Sequence, residues 1–206
     1  MSLAEVAAES RAWIERFVLG HKLCPFALHL AGDARLRVVA SAARRESELL
    51  DDLTEELRRL AATPMEVLET TVLVHPRCLV SFEAQLDFVD AGTELLSLLG
   101  LAGEIQLVAF HPDFRFADAR AEDPGNYVNR SPFGMLHLLR EASVEAVMGD
   151  PSSLAKAERL SERNAERLEA MGAEPLEAAL DEHRRAAEAE ADDDMRLAEA
   201  GRSGGS

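Results

Sequence analysis

The chain has 206 residues and a formal net charge of −16. Its length suits one domain with its own hydrophobic core, and its apolar share of 47% is ordinary for a soluble globular protein. The negative charge argues against nucleic acid and anionic membranes as partners, because both require a basic surface.

The sequence also lacks the usual signals for export. No stretch approaches the roughly twenty apolar residues of a membrane span, and the acidic N-terminus has no basic start for a secretory signal. Its only cysteines, Cys24 and Cys78, form no metal-spaced or redox-paired motif. We therefore expect a cytoplasmic protein with free thiols.

Helical and strand patterns alternate along the first half of the chain. Helices are indicated where apolar residues recur at helical spacing, and strands where short β-branched or apolar runs stop at a turn signal. In chain order the patterns predict a helix at 3–19, a strand at 35–41, a helix at 46–60, a strand at 69–76, a helix at 79–100 and a strand at 104–112.

This order predicts an α/β (or α+β) fold. The expected core is a small, three-strand, mostly parallel sheet in βαβαβ order, with an N-terminal helix and C-terminal helices packed around it. A ferredoxin-like split unit with antiparallel pairs is the competing arrangement. Parallel pairing is favoured because each intervening helix is long enough to return the chain to its starting edge.

The second half begins with a long polar loop at 113–134. Loops of this length within compact domains are often functional. Ser131 has the features of an N-cap and Pro132 those of a first helical residue, which predicts a helix at 132–148, followed by another at 153–172. We expect one globular domain over 1–172, and then an acidic Ala/Glu-rich tail over 173–206, helical or disordered, that could contact a partner protein.

Two strands end on the same dipeptide, His75–Pro76 and His111–Pro112. If these strands run in the same direction, both histidines lie at one edge of the sheet, where open α/β sheets bind ligands. Proline keeps the preceding residue extended. The two histidines are therefore candidates for general acid/base catalysis, although a strand-end histidine can also simply hydrogen-bond a loop carbonyl.

The segment "NYVNRSP" offers groups that bind anions. An arginine and two amides before a helix N-terminus could hold a phosphate or carboxylate. In the alternative interpretation the asparagines are turn residues and the serine is only a cap. The candidate substrate-binding residues are Asn126, Asn129, Arg130, Ser131 and, more remotely, Arg140.

The sequence suggests two further kinds of chemistry, metal binding and catalysis by a cysteine. His137 and Glu141 have the i, i+4 spacing of metal ligands on a helix. One hypothesis is a divalent metal held by His75, His111, His137 and Glu141. The alternative for the His137–Glu141 pair is a semi-buried salt-bridge face. Cys24 follows Lys22 and Leu23 and could be an activated nucleophile or a small buried apolar residue.

Taken together, the phrases "LCPFA", "TTVLVHP", "QLVAFHPDFRFAD", "NYVNRSPFGMLHLLREAS" and "ERN" resemble the bacterial domain-of-unknown-function family numbered fourteen-fifteen. The resemblance runs from about Trp13 to Gly172. It implies a cytoplasmic bacterial protein, and it supplies no activity.

We expect an enzyme, a hydrolase or a group-transfer catalyst, that acts on a small anionic substrate through His75, His111 and the Asn/Arg loop. The alternative is a metabolite-binding or regulatory module without catalysis, and a third reading makes the polar residues an internal network that fixes the loop. The cofactor stays open between none and a divalent metal, since the chain has no nucleotide-binding motif.

Overall fold

A computed structural model describes residues 2–24, 30, 32–148, 154–183 and 185. The fold is mixed α/β, with a four-stranded sheet between two layers of helices. None of the helices in these described residues is both long and apolar enough to cross a membrane.

The helices and strands follow the predicted order through the first three strands. In chain order the elements are α1 (Leu3–Trp13), which continues as a π-helical segment (Ile14–Leu19), β1 (Leu36–Ala40), α2 (Glu46–Ala62), β2 (Thr70–Val74), α3 (Phe82–Leu98), β3 (Ile105–Phe110), a 3-10 turn (Pro124–Val128), β4 (Met135–Arg140), α4 (Glu141–Met148), α5 (Leu154–Met171) and α6 (residues 173–183).

The predicted three-strand, mostly parallel sheet needs correction, because the sheet has four strands in the order β1-β2-β4-β3. Only β1 and β2 pair in parallel, and β4 lies antiparallel between β2 and β3. The connection from β2 through α3 to β3 therefore skips one position, as in the split arrangement that was the competing prediction. Since both neighbours of β4 run opposite to it, β2 and β3 still run in the same direction.

The predicted helix over 132–148 is wrong in its first half. Residues 135–140 form the strand β4, and the helix α4 begins only at Glu141. The sequence "MLHLLR" is apolar enough to be buried on both faces of a central strand, and residues 135–139 are all buried. Ser131 is consequently not a helix cap, and its hydroxyl donates to the carbonyl of Phe133 at 2.5 Å.

Each face of the sheet has its own hydrophobic core. On one face Val72, Val74 and Met135 pack with residues of α1, α5 and α6. On the other face Leu73, Leu136 and Leu138 pack with the leucine stripe of α2 and with α3. Because strand side chains alternate between faces, the strand register determines on which side each functional candidate lies.

The core extends into the segment that the composition assigns to an acidic tail. Leu176 and Leu180 of α6 are fully buried in the α1 side of the core. The ring nitrogen Nδ1 of His183 lies 2.9 Å from a carboxylate oxygen of Glu9 on α1. Helix α6 thus packs on the α1 side of the sheet. Its residue Glu177 lines the cleft described below.

Candidate functional site

The two strand-end histidines lie at the same edge of the sheet. The N–H of His75 donates to the carbonyl of Gly134 at 2.9 Å, and that of His111 donates to the carbonyl of Asn129 at 3.1 Å. Both directly follow residues that face the α1 layer, Val74 and Phe110, so their side chains point to the α3 layer. Both are buried, with exposed fractions of 1% and 2%.

Their imidazole rings hold consecutive carbonyls of the loop between β2 and α3. Nδ1 of His75 lies 3.0 Å from the carbonyl oxygen of Cys78, and Nε2 of His111 lies 3.3 Å from that of Leu79. A carbonyl can only accept, so each of these ring nitrogens carries the proton. Leu79 has a φ of +53°, a left-handed conformation that costs free energy in a leucine and must be held by its surroundings. The His-Pro pairs therefore brace this loop.

His111 also positions the turn that follows β3. Its unprotonated Nδ1 accepts the backbone N–H of Asp113 at 3.0 Å, and its ring contacts the Phe82 ring with a centroid distance of 5.8 Å. Phe82 in turn contacts Phe114, with centroids 5.0 Å apart. The imidazole thus connects the start of α3 to the 111–114 turn.

The second ring nitrogen of His75, Nε2, does not take part in the bond to the Cys78 carbonyl. This nitrogen is buried and has no hydrogen-bond partner among the described residues, and the same is true of the side-chain oxygen of Gln85 on α3. Burial lowers the pKa of His75 from 6.5 to about 4, and the neighbouring His111 contributes in the same direction. His75 is therefore neutral at pH 7, and its Nε2 is a buried acceptor.

The His75 ring lies directly against Gly134. A Cβ at position 134 would come within 2.3 Å of Cε1 of His75, so we expect Gly134→Ala to destabilise the protein by about 1–3 kcal/mol through overpacking. Chemical denaturation measures the loss. In a His75→Asn background the smaller side chain makes room, and the same substitution should then cost clearly less. If Gly134→Ala destabilised the wild type and the His75→Asn variant equally, the His75 ring would not be the reason that position 134 requires a glycine.

An open cleft of about 520 Å³ lies beside this braced edge. Three stretches of chain form its walls: the loop that enters α3, the turn after β3 and the polar loop that precedes β4. The lining residues are Val80, Ser81, Phe82, Glu83, Pro112, Asp113, Arg115, Ala121, Arg130 and, from α6, Glu177. This volume lies in the range of small-molecule sites.

Arg130 is a cation of the cleft whose guanidinium is held by backbone and aromatic contacts. Its Nε donates to the carbonyl of Phe114 at 3.2 Å and its Nη2 to that of Ala121 at 2.6 Å. The guanidinium stands 4.6 Å from the ring centroid of Tyr127, whose hydroxyl donates to Glu177. Burial and Glu177 both raise the pKa of Tyr127. Two carbonyls and an aromatic ring therefore hold the guanidinium in one orientation.

The first turn of α3 also faces the cleft. Ser81 is the N-cap and its hydroxyl accepts the N–H of Ala84 at 3.2 Å. The preceding N–H groups of the turn, at Phe82 and Glu83, belong to the set that a helix cannot satisfy internally. Such groups favour an anion.

The other predicted substrate-binding residues are used inside the protein. The Asn126 amide accepts from the N–H of Phe116 and donates to the carbonyls of Arg120 and Ala121. Asn129 donates to the carbonyl of Ala109 at 3.0 Å. Together with the Ser131 hydroxyl, these groups fix the polar loop on the sheet edge, as the internal-network interpretation expects.

Arg140 and Glu141 lie at the opposite end of β4 from the histidine edge. Arg140 Nη2 donates to three carbonyls around the end of α2, those of Leu60, Thr63 and Leu68, at 2.6, 2.6 and 3.0 Å. This position separates Arg140 from Arg130 and the cleft, and the guanidinium serves to fix the chain between α2 and β2.

The structure does not gather the four proposed metal ligands. His137 is on β4, on the sheet face opposite His75 and His111, and its Nε2 lies 2.8 Å from the Thr70 hydroxyl. The predicted helical i, i+4 pair of His137 and Glu141 is wrong, since a strand carries the first and a helix begins at the second. The part of the chain that the structure describes contains no group of three or more His, Cys, Asp or Glu suited to a metal ion.

Cys24 belongs to the other side of the sheet. It is partly buried against the core cluster that contains Trp13 and the α5 residue Leu168. Asn164 of the "ERN" phrase donates to the carbonyl of Leu23 at 2.8 Å, which fixes this segment to α5. His29, five residues after Cys24, is a further potential metal ligand by residue type, and it lies outside the described residues.

Sequence reasoning overlooked several groups of the cleft, namely Ser81, Glu83, Asp113, Arg115 and Glu177. Two signals could have found part of this set: Asp113 follows His111–Pro112 directly, and Ser81 is an N-cap candidate just after His75–Pro76. Glu177 carried no such signal, because the composition around it is that of a solvated acidic helix.

Comparison with known proteins places most of the chain in one family. Residues 5–178 match the family model described as "Protein of unknown function (DUF1415)". No curated protein matches the chain, and no solved structure does either.

Proposed function

The chain belongs to the DUF1415 family of proteins of unknown function, and we propose that it binds a small molecule by its anionic group in the cleft beside the strand-end histidines. The anion is a carboxylate or a phosphate. It contacts the Arg130 guanidinium and the backbone N–H groups of Phe82 and Glu83 at the start of α3.

One observation carries this proposal: the Arg130 side chain is held at the cleft wall by the carbonyls of Phe114 and Ala121 and by the Tyr127 ring. A guanidinium has five N–H donors, so these bonds leave donors for a ligand. Because its orientation is already fixed, little side-chain entropy is lost on binding. Charge-assisted hydrogen bonds are also the stronger ones.

The histidines have a supporting part in this proposal. His75 and His111 hold the carbonyls of Cys78 and Leu79, and so they set the direction in which the first turn of α3 points. His111 also sets the 111–114 turn through the N–H of Asp113. They are positioning residues for the cleft.

The test is a calorimetric titration with sodium phosphate and with sodium propionate. We expect Arg130→Gln to weaken binding of the effective anion at least about tenfold, the equivalent of one lost interaction of about 1.4 kcal/mol. Because Arg130 also bonds two loop carbonyls, Arg115→Gln serves as a second variant: it removes an exposed cation of the same cleft.

Arg58→Gln, an exposed change on α2, is the matched control and should leave the dissociation constant unchanged. Equal affinities in the wild type and both cleft variants would refute the proposal, as would the absence of any saturable binding.

A second function, catalysis of hydrolysis or group transfer, is favoured by Nε2 of His75, which is buried without a hydrogen-bond partner among the described residues. In this version a motion at Gly134 opens the histidine edge to the cleft, and the neutral imidazole accepts a proton from the attacking group. With a pKa of about 4, His75 is a weak base at pH 7, so rapid turnover requires that opening also relieves its burial.

The catalytic version predicts measurable hydrolysis of p-nitrophenyl acetate or p-nitrophenyl phosphate that His75→Asn reduces at least about a hundredfold. The asparagine amide can still donate to the Cys78 carbonyl, so the loop should stay in place. Wild-type rates no higher than those of His75→Asn would leave binding alone as the function.

A further inference from the structure

The charges of the cleft make a simple anion a weaker ligand than one that also carries a cation. Its two cations, Arg115 and Arg130, stand with three carboxylates, Glu83, Asp113 and Glu177, which leaves one net negative charge. The whole chain carries −16. A phosphate or a plain carboxylate would gain from the guanidinium but would be repelled by its surroundings.

The three carboxylates differ in how far they are engaged. Glu177 already accepts the hydroxyl of Tyr127, next to the guanidinium. Asp113 is different, because its side chain is 79% exposed and the only basic side chain near its carboxylate in the described residues is the His111 ring, with Oδ2 4.0 Å from Nδ1, while its backbone N–H donates to the same ring. Glu83 is exposed on the first turn of α3. Two carboxylates are therefore available at the side of the cleft formed by α3 and the 111–114 turn.

Apolar side chains line the cleft together with these charges. Val80 is 83% exposed although it lines the cleft, and Phe82 next to it is half-buried beside Phe114. An exposed valine at the mouth of a polar cleft offers contact to a short aliphatic body. The cleft thus combines a fixed cation, accessible carboxylates and a small apolar surface.

From this arrangement we infer that the ligand of the cleft is a zwitterion of the amino-acid type, with its anionic group at Arg130 and a cationic amine at Asp113 and Glu83. Such a ligand is neutral overall, so it avoids the repulsion that a simple anion meets. The inference rests on the proposed function and adds the class of ligand. The volume of about 520 Å³ sets its size at that of a small metabolite.

The experiment compares matched ligands by NMR titration of the full chain. Glycine, β-alanine and γ-aminobutyrate present a carboxylate and an ammonium at increasing separation, and acetate, propionate and butyrate are their counterparts without the amine. We expect at least one amino acid to bind ten times more tightly than its counterpart.

The double variant Asp113→Asn/Glu83→Gln should abolish that preference and leave carboxylate binding in place. Glu94→Gln, at an exposed site further along α3, is the matched control and should keep the preference.

Three results would overturn the inference: amino acids that bind no better than their counterparts, a preference that persists in the double variant, or a loss of the preference in the control. In each of these cases carboxylate binding that depends on Arg130 would still uphold the proposed function. If none of the six compounds binds, both the inference and the binding proposal fail.

Discussion

Acidification from pH 7 to pH 4 is expected to reduce the free energy of unfolding by roughly 6 kcal/mol through two buried histidines alone. Burial lowers the pKa of both His75 and His137 from 6.5 to about 4. In the unfolded chain they titrate near 6.5, so between pH 6.5 and pH 4 the unfolded state binds more protons than the folded state. Stability is therefore full above pH 6.5 and falls as the pH is lowered, by roughly 3 kcal/mol for each histidine.

Denaturant titrations at several pH values between 7 and 4 measure this effect. Other groups also titrate in this range, so the histidine contribution is the difference between the wild type and variants that cannot protonate. His75→Asn keeps a donor for the Cys78 carbonyl, and His137→Gln keeps one for the Thr70 hydroxyl. Each variant should lose roughly 3 kcal/mol less than the wild type over this range. Parallel pH profiles in all three proteins would contradict the burial of these rings.

Arg140→Met is expected to lower the free energy of unfolding by about 3–5 kcal/mol. The substitution conserves the apolar stem but leaves the carbonyls of Leu60, Thr63 and Leu68 without their shared donor. The carbonyl of Leu60 also accepts the N–H of Thr63, so the cost falls mainly on the carbonyls of Thr63 and Leu68, at about 1–3 kcal/mol for each acceptor left without a partner. The positive charge that faces the C-terminal end of α2 is lost as well.

Equilibrium unfolding of Arg140→Met and of Arg58→Met makes the comparison direct. Arg58 is an exposed residue of α2, and its replacement should stay within about 0.5 kcal/mol of the wild type. The free energy of unfolding of Arg140→Lys should lie between those of these two variants, because lysine keeps the positive charge but lacks the planar set of N–H donors of a guanidinium. A loss below about 1 kcal/mol in Arg140→Met would show that the three carbonyls find water or other donors instead.

Hydrophobic periodicity predicted most helices and strands of the first half of the chain, because there the spacing of apolar residues and the residue types favour the same element. The leucine stripe of α2 and the β-branched run of β2 each match one period only, and both elements form where the pattern places them. The placement of His75 and His111 at one edge followed from the same pattern. It required only that β2 and β3 run in the same direction, and it holds although β4 separates them.

Strand β4 shows what local pattern could not decide. Its run "MLHLLR" has no period-2 alternation, since both of its faces are buried, and Ser131–Pro132 before it imitates a helix start. Only tertiary pairing with β2 and β3 distinguishes a central strand from a buried helix here. The error moved His137 and Glu141 onto one helix face and so suggested a metal pair.

The roles of the polar loop residues also depended on long-range contacts. Asn126, Asn129 and Arg130 are neighbours in the sequence and looked like one anion cradle. The structure uses Asn126 and Asn129 to bind backbone groups of the loop and of β3, and it leaves Arg130 at the cleft. A sequence cannot show which amide is consumed by its own backbone, because the partners are brought together only by the fold.

We propose that the start of α3 and the Arg130 guanidinium together bind one anion. A ¹H–¹⁵N NMR titration with propionate tests it most directly, through the backbone amides of Phe82 and Glu83 and the Nε–H of Arg130. We predict saturable shifts at these three groups with one common dissociation constant, and no such shifts of the Phe82 and Glu83 amides in Arg130→Gln. If the shifts are absent at Phe82 and Glu83, or stay the same there in Arg130→Gln, α3 and Arg130 do not share an anion site.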